Sequence, residues 1–150
     1  CVSGLTCAVD GIVGVDLSSA DSVMLLETCG REQVLPRIPD AGQVHLTGQS
    51  GASVTWDPVG ITAAGGEYRM CWCAASPLNL TKDGVLRDAW AMPCSTSWGF
   101  GVDFGRLLLL GPSPLLQHRT CVAGQTCHLD GLTGTHIASS NRLVVLDTCG

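Results

Sequence analysis

Charge is scarce in this sequence: only 14% of its 150 residues are charged, and Lys82 is the single lysine. The net charge of −5 is mild and no basic stripe runs along any stretch, which removes the electrostatic footprint a nucleic-acid groove needs. Helix-forming runs of Ala, Glu, Lys and Leu are missing, so long helices are not expected. No apolar run is long enough to span a bilayer; the leucines at 107–110 are stopped by Gly111-Pro112 and read as a buried strand. No Ser or Cys nucleophile sits in a recognisable elbow, which argues against a hydrolase. No leader segment is visible, but the sequence opens on a cysteine, so nothing follows about targeting.

What the sequence does have is repetition. Residues 121–150 align without a gap on residues 1–30, with thirteen of the thirty positions identical. The identities include all three cysteines, Asp10/Asp130 and the closing Thr-Cys-Gly, at an offset of 120 residues. Fixed-period repetition is the mark of an array built from copies of one module. It favours structural or adhesive proteins over single-site enzymes, and no enzymatic activity and no cofactor are expected. A mean hydropathy of +0.30 with so few charges implies surface covered by neighbours or by glycan.

Cysteine use sets the compartment. The first 120 residues hold Cys1, Cys7, Cys29, Cys71, Cys73 and Cys94, and the second copy adds Cys121, Cys127 and Cys149. An even number per repeat at repeated spacing reads as a disulfide framework in an oxidising space, with the odd total arising because the second copy is incomplete. Cys1 and Cys7, and equally Cys121 and Cys127, can close locally across a Gly-containing loop. Cys29 with Cys71 would staple two sheets as in immunoglobulin-like domains, and Cys73 with Cys94 would tie an irregular segment to the sheet. Cys71 and Cys73 are two apart on a strand and share a face while Trp72 points to the other, so exchange of their partners is a real alternative. Zinc is a weaker reading: Cys71-x-Cys73 is not a knuckle spacing, and no histidine recurs between the copies.

Short Val/Leu/Thr-rich runs separated by Gly, Asp, Ser and Pro give an all-β pattern. Strands are expected at 22–29 and 67–74, both central, and at 100–104, continuing through Gly105 into 106–110. Residues 34–38 read as an edge piece interrupted by Pro36, and 43–47 with 52–56 as a hairpin across a glycine turn. The expected architecture is a disulfide-stapled, antiparallel immunoglobulin-like β-sandwich of about seven strands, in tandem. The module boundary is placed near Gly105, so that 1–105 is a module lacking its first strand and 106–150 is the N-terminal part of the next.

Other candidates read more plainly. Asn79-Leu80-Thr81 is a glycosylation sequon in the irregular segment 75–97. Asp10 and Asp130 could face calcium between modules, but no Asp-x-Asp cluster exists, and turn residues ahead of Gly11 and Gly131 are the favoured reading. His45, His118, His128 and His136 do not recur between copies and read as surface residues. Of Trp56, Trp72, Trp90 and Trp98, one or two belong in a core and the others at a module contact.

The strings EYRMCWCA at 67–74, FGVDFGRL at 100–107, Leu110-Gly-Pro, CVAGQTC at 121–127 and DTCG at 147–150 resemble the Cys-rich tandem repeats of mastigoneme-like flagellar-hair proteins and related protist surface proteins. The resemblance covers essentially the whole chain; it departs from the pattern in the long insertion at 76–93. It implies immunoglobulin-like modules in an extracellular, glycosylated, non-catalytic filament with helical assembly, whose partners are other copies of the same repeat protein and covalent glycans. The competing expectation is a cell-surface adhesin array whose loop at 76–93, with Trp90, contacts a glycan or a protein.

Overall fold

The computed structural model describes residues 1–48, 52–74 and 94–149. Strands form wherever a short apolar run meets a partner: β1 (Cys7–Ile12), β2 (Ser22–Leu26), β3 (Gln43–His45), β4 (Ala52–Trp56), β5 (Gly66–Cys73) and β6 (Val102–Leu109). Two-residue strands follow, β7 (Gly111–Pro112) and β8 (Gly134–Thr135). Among the described residues there is no α-helix, only 3-10 turns at Pro39–Gly42 and Ser97–Gly99. The protein is β-rich and disulfide-rich.

The strands make a four-stranded antiparallel sheet ordered β3-β2-β5-β6 and two-stranded sheets β1-β4 and β7-β8. All five residues of β2 are buried, as a central strand covered on both faces requires. Its side chains alternate between two clusters. Val23 and Leu25 join Trp56, Val54, Ile61, Leu107 and Leu109 in the larger core, which lies between the four-stranded sheet and β1-β4. Met24 and Leu26 join Cys71, Cys73 and Phe100 on the opposite face. Trp56 is fully buried, and its indole N–H donates to the Gly42 carbonyl at 2.9 Å, so the largest core side chain leaves no polar atom unpaired.

Several elements differ from the sequence reading. Residues 34–38 form no strand: Leu35 and Ile38 are buried, and the chain turns through the left-handed region at Arg37 (φ 64°) and again just beyond, at Asp40 and Ala41. The hairpin of 43–47 with 52–56 is only begun. Thr47 and Ser53 exchange backbone bonds of 2.8 and 3.1 Å, then β3 leaves to pair with β2 and β4 to pair with β1. Asp10 and Gly11 make no turn. They lie inside β1 as a bulge between the Val9–Val54 and Ile12–Ala52 pairs, with Gly11 at φ 74°.

The strand through Gly105 is continuous, as anticipated, but it does not change modules there. β6 pairs with β5 from Trp72–Val102 to Gly66–Leu109, and Leu107 and Leu109 complete the core that holds Val23 and Trp56. Residues 106–110 therefore belong with residues 1–105, because alternate leucines find their burial against that core.

Candidate site: a junction between the repeated segments

The chain after β6 is pinned from both sides. On one side, the Cys1 N-terminus donates to the Leu108 carbonyl (3.1 Å), Leu110 N–H donates to Cys1 O (2.9 Å) and Ser3 N–H to Leu110 O (2.8 Å), while Gly65 N–H reaches Pro112 O at 2.9 Å. On the other side, β7 pairs with β8, Gly111 opposite Thr135 and Pro112 opposite Gly134. Three glycines allow this approach. A Cβ on Gly65 or on Gly134 would meet the Gly111 carbonyl oxygen, and a Cβ on Gly111 (φ 156°) would lie 2.7 Å from Ser3 Cβ.

Beyond β7 the contacts continue through side chains onto backbone. Ser113 N–H donates to Thr133 O (3.1 Å), and the Thr133 hydroxyl donates to Ser113 O (2.8 Å). The Gln117 amide donates to Thr133 O and accepts from Thr133 N–H, each at 2.8 Å. Arg119 donates to Asp130 O (3.1 Å, from both Nε and Nη2) and to Gly131 O (2.9 Å). Residues 111–119 thus form a strap laid along residues 130–135.

The two cysteine-bearing segments share local geometry as well as sequence. Left-handed residues recur at Gly4 and Gly124 (φ 90° and 81°), Gly11 and Gly131 (74° and 62°), and Asp16 and His136 (54° and 52°). The backbone bond Leu5→Val2 recurs as Gln125→Val122, both 3.2 Å, and Asp21→Ser18 recurs as Asn141→Ala138, both 3.0 Å. A side-chain oxygen caps each turn: Asp21 Oδ2 accepts from Ser18 N–H at 3.0 Å, and Asn141 Oδ1 from Ala138 N–H at 2.7 Å. These geometries explain the substitutions between the copies. Asp and His are both tolerated in the left-handed region, and Asp and Asn both offer an acceptor oxygen.

The cystines are Cys1–Cys7, Cys29–Cys71, Cys73–Cys94 and Cys121–Cys127, with Cα separations of 5.4, 5.5, 5.8 and 5.5 Å; Cys149 is free and exposed. Four cystines are the chemistry of an oxidising, extracellular type of compartment. Cys29–Cys71 is not an inter-sheet staple. Its strand β5 is the hydrogen-bonded neighbour of β2 in one sheet, and both cysteines lie on the face turned away from β1-β4. The cystine that spans the layers is Cys1–Cys7: Cys1 is bonded to the end of β6, and Cys7, 2% exposed, opens β1 in the core.

A cross-strand charge ladder lies on the solvent face of β5-β6, a feature that sequence reasoning missed. Arg69 binds Asp103 with two bonds (Nε–Oδ2 2.8 Å, Nη2–Oδ1 2.9 Å), and Glu67 contacts Arg69 at 3.7 Å and Arg106 at 3.2 Å. The bond from Arg69 holds the Asp103 carboxyl below its ordinary range, helped by the Gly105 N–H. The four histidines are exposed, and His45 Nδ1 shares a 3.0 Å bond with Ser22 Oγ. Trp72 packs partly buried against the larger core, and Trp98 is 45% exposed. Asn79, Trp90 and the loop at 76–93 lie outside the described residues. No described helix is long and apolar enough to cross a membrane.

Comparison with family models, with curated proteins and with solved structures finds no match.

Proposed function

We propose that this chain is a segment of a secreted extracellular filament, of the flagellar-hair or surface-fibril kind, built from tandem disulfide-bonded β-sandwich modules and without catalytic activity. The observation that carries the reading is the junction. Residues 110–119 are bonded to the first copy through Ser3 and Gly65 and to the second through Thr133, Gly134 and Arg119's backbone acceptors. A linker fixed at both ends restricts the angle between successive modules, which is what a fibre needs and a flexible string of beads lacks.

A further feature supports it. The layering of β1-β4 on a four-stranded sheet is the feature an immunoglobulin-like sandwich shares with this one; the cystine position is not. Asn79 completes the proposal as the site of a covalent glycan.

Negative-stain imaging of the native material tests the reading: fibrils carrying a regular axial repeat are expected, and dispersed monomers alone would overturn it. Glycosidase digestion followed by peptide mass analysis should shift the peptide containing Asn79; an unmodified peptide would remove the glycan from the proposal.

A further inference from the structure

Between β3 and β4 two strand edges face each other across a groove. The bonds exchanged by Thr47 and Ser53 begin a ladder whose next pairs would be His45 with Thr55 and Gln43 with Asp57. Those pairs are not made. β3 turns to β2, as the bond from Leu46 N–H to Asp21 O shows, and β4 turns to β1. Trp56 keeps the gap from closing, because its indole crosses from β4 to the Gly42 carbonyl just ahead of β3.

Alternation along each strand fixes which backbone groups are left over. Val44 and Leu46 direct theirs to β2, so His45 directs its N–H and C=O out of the sheet. Ser53 bonds to Thr47 rather than to β1, so Thr55, two residues on, also turns its N–H and C=O toward the gap. Among the described residues neither is bonded across it. The gap is a cavity of about 550 Å³ whose lining includes Asp40, Gln43, His45, Thr55 and Asp57. Asp40 and Asp57 also line an adjoining cavity of about 400 Å³, and neither carboxylate has an ion-pair partner among the described residues. Arg37 lines only the adjoining cavity and is paired with neither of them.

We propose that this groove takes an extended, basic segment of a partner protein, added as a strand between the edges of β3 and β4 with a Lys or Arg side chain facing Asp40 and Asp57. The open N–H and C=O groups of His45 and Thr55 supply the main-chain bonds, which any extended segment can use. The two carboxylates select the sign of its charge. A second copy of this chain is the poorer occupant, since it carries a net charge of −5 and one lysine. The site goes beyond the filament reading and lies within residues 40–57, so it stands or falls apart from fibril formation.

The test uses a capped synthetic hexapeptide, SVTKVS, titrated into the isotope-labelled 150-residue chain with amide resonances followed by NMR. Saturable shifts at His45, Thr55 and Asp57 are expected. The charge-reversed peptide SVTEVS should bind about fivefold to tenfold more weakly, and Asp40→Asn and Asp57→Asn chains should each bind SVTKVS about twofold to threefold more weakly. Thr55→Pro removes an N–H that faces the gap and none that serves the ladder with β1, so it should abolish saturable binding while the resonances of Val23 and Leu25 stay in place. If Thr55→Pro fails to fold, the charge-reversed peptide and the two Asn variants decide. Absence of saturable shifts at residues 43–57 up to the peptide's solubility limit would overturn the proposal. So would equal binding of the two peptides, undiminished binding to a folded Thr55→Pro chain, or shifts confined to Glu67 and Asp103, which report attraction of a cation to any exposed carboxylate.

Discussion

Gly65→Ala tests whether the junction is a built contact. A Cβ at position 65 would fall on the Gly111 carbonyl oxygen and stand 2.8 and 2.9 Å from that residue's carbonyl carbon and nitrogen. The obstacle is backbone, so no rotamer change relieves it. Nor can the obstacle drift: Leu110 O is held by Ser3 N–H at 2.8 Å, and Pro112 O by Gly65's own N–H at 2.9 Å. Overpacking of this kind costs about 1–3 kcal/mol, and loss of the Gly65–Pro112 bond adds about 1 kcal/mol. The reduced freedom of alanine in the unfolded chain returns about 0.4–1 kcal/mol, leaving a net destabilisation of about 1.5–3 kcal/mol. At about 4 °C per kcal/mol for a domain of this size, Tm should fall by about 6–12 °C. Gly101→Ala is the comparator, since its Cβ meets nothing within 4 Å, and it should stay within about 0.5 kcal/mol of wild type. Thermal unfolding followed by circular dichroism gives the shift, and limited proteolysis at 111–119 reports release of the strap. A Gly65→Ala protein that melts with Gly101→Ala and resists protease equally would refute the clamp.

Trp56→Phe removes a donor from the buried Gly42 carbonyl and leaves space in the core, so it should lose about 2–4 kcal/mol by urea unfolding, whereas Trp98→Phe at a 45% exposed position should change stability by no more than about 0.5 kcal/mol. Asp16→His copies the residue found at the matching left-handed position and should be close to neutral; Asp16→Val puts a β-branched residue at φ 54° and should cost about 1–2 kcal/mol, an order that equal melting temperatures would contradict. Alkylation of the denatured, unreduced 150-residue chain should label Cys149 alone, and any label on Cys71 or Cys73 would contradict their cystines. Because Arg69 lowers the folded-state pKa of Asp103, the ladder stabilises the protein above the ordinary aspartate value of 3.8 and loses that contribution as pH falls through the lower folded value. Wild type should therefore exceed Asp103→Asn in stability near neutrality and converge with it in acid; a gap unchanged at low pH would exclude the ladder as its cause.

The sequence by itself determined the local conformations that depend on near neighbours. The spacing of Cys1 and Cys7 suffices for a cystine, and the same cystine stands between Cys121 and Cys127. The left-handed turns at Gly4 and Gly124 and the side-chain caps at Asp21 and Asn141 likewise form in both copies, since their bonds close within a few residues. The alternation of Cys71 and Cys73 against Trp72 was legible for the same reason: a strand's period is local.

Only the tertiary structure decided which edges meet. Asp10-Gly11 reads as a turn in either copy; pairing of β1 with β4 makes it a bulge. The face on which Cys29–Cys71 lies, the division of 43–47 and 52–56 between two sheets, and the meeting of Gly65, Gly111 and Gly134 all join residues far apart in sequence. The physical reason is common to them: a backbone edge offers the same donors and acceptors to any strand, so the choice among partners falls to burial of the whole core, which no single segment of the sequence contains.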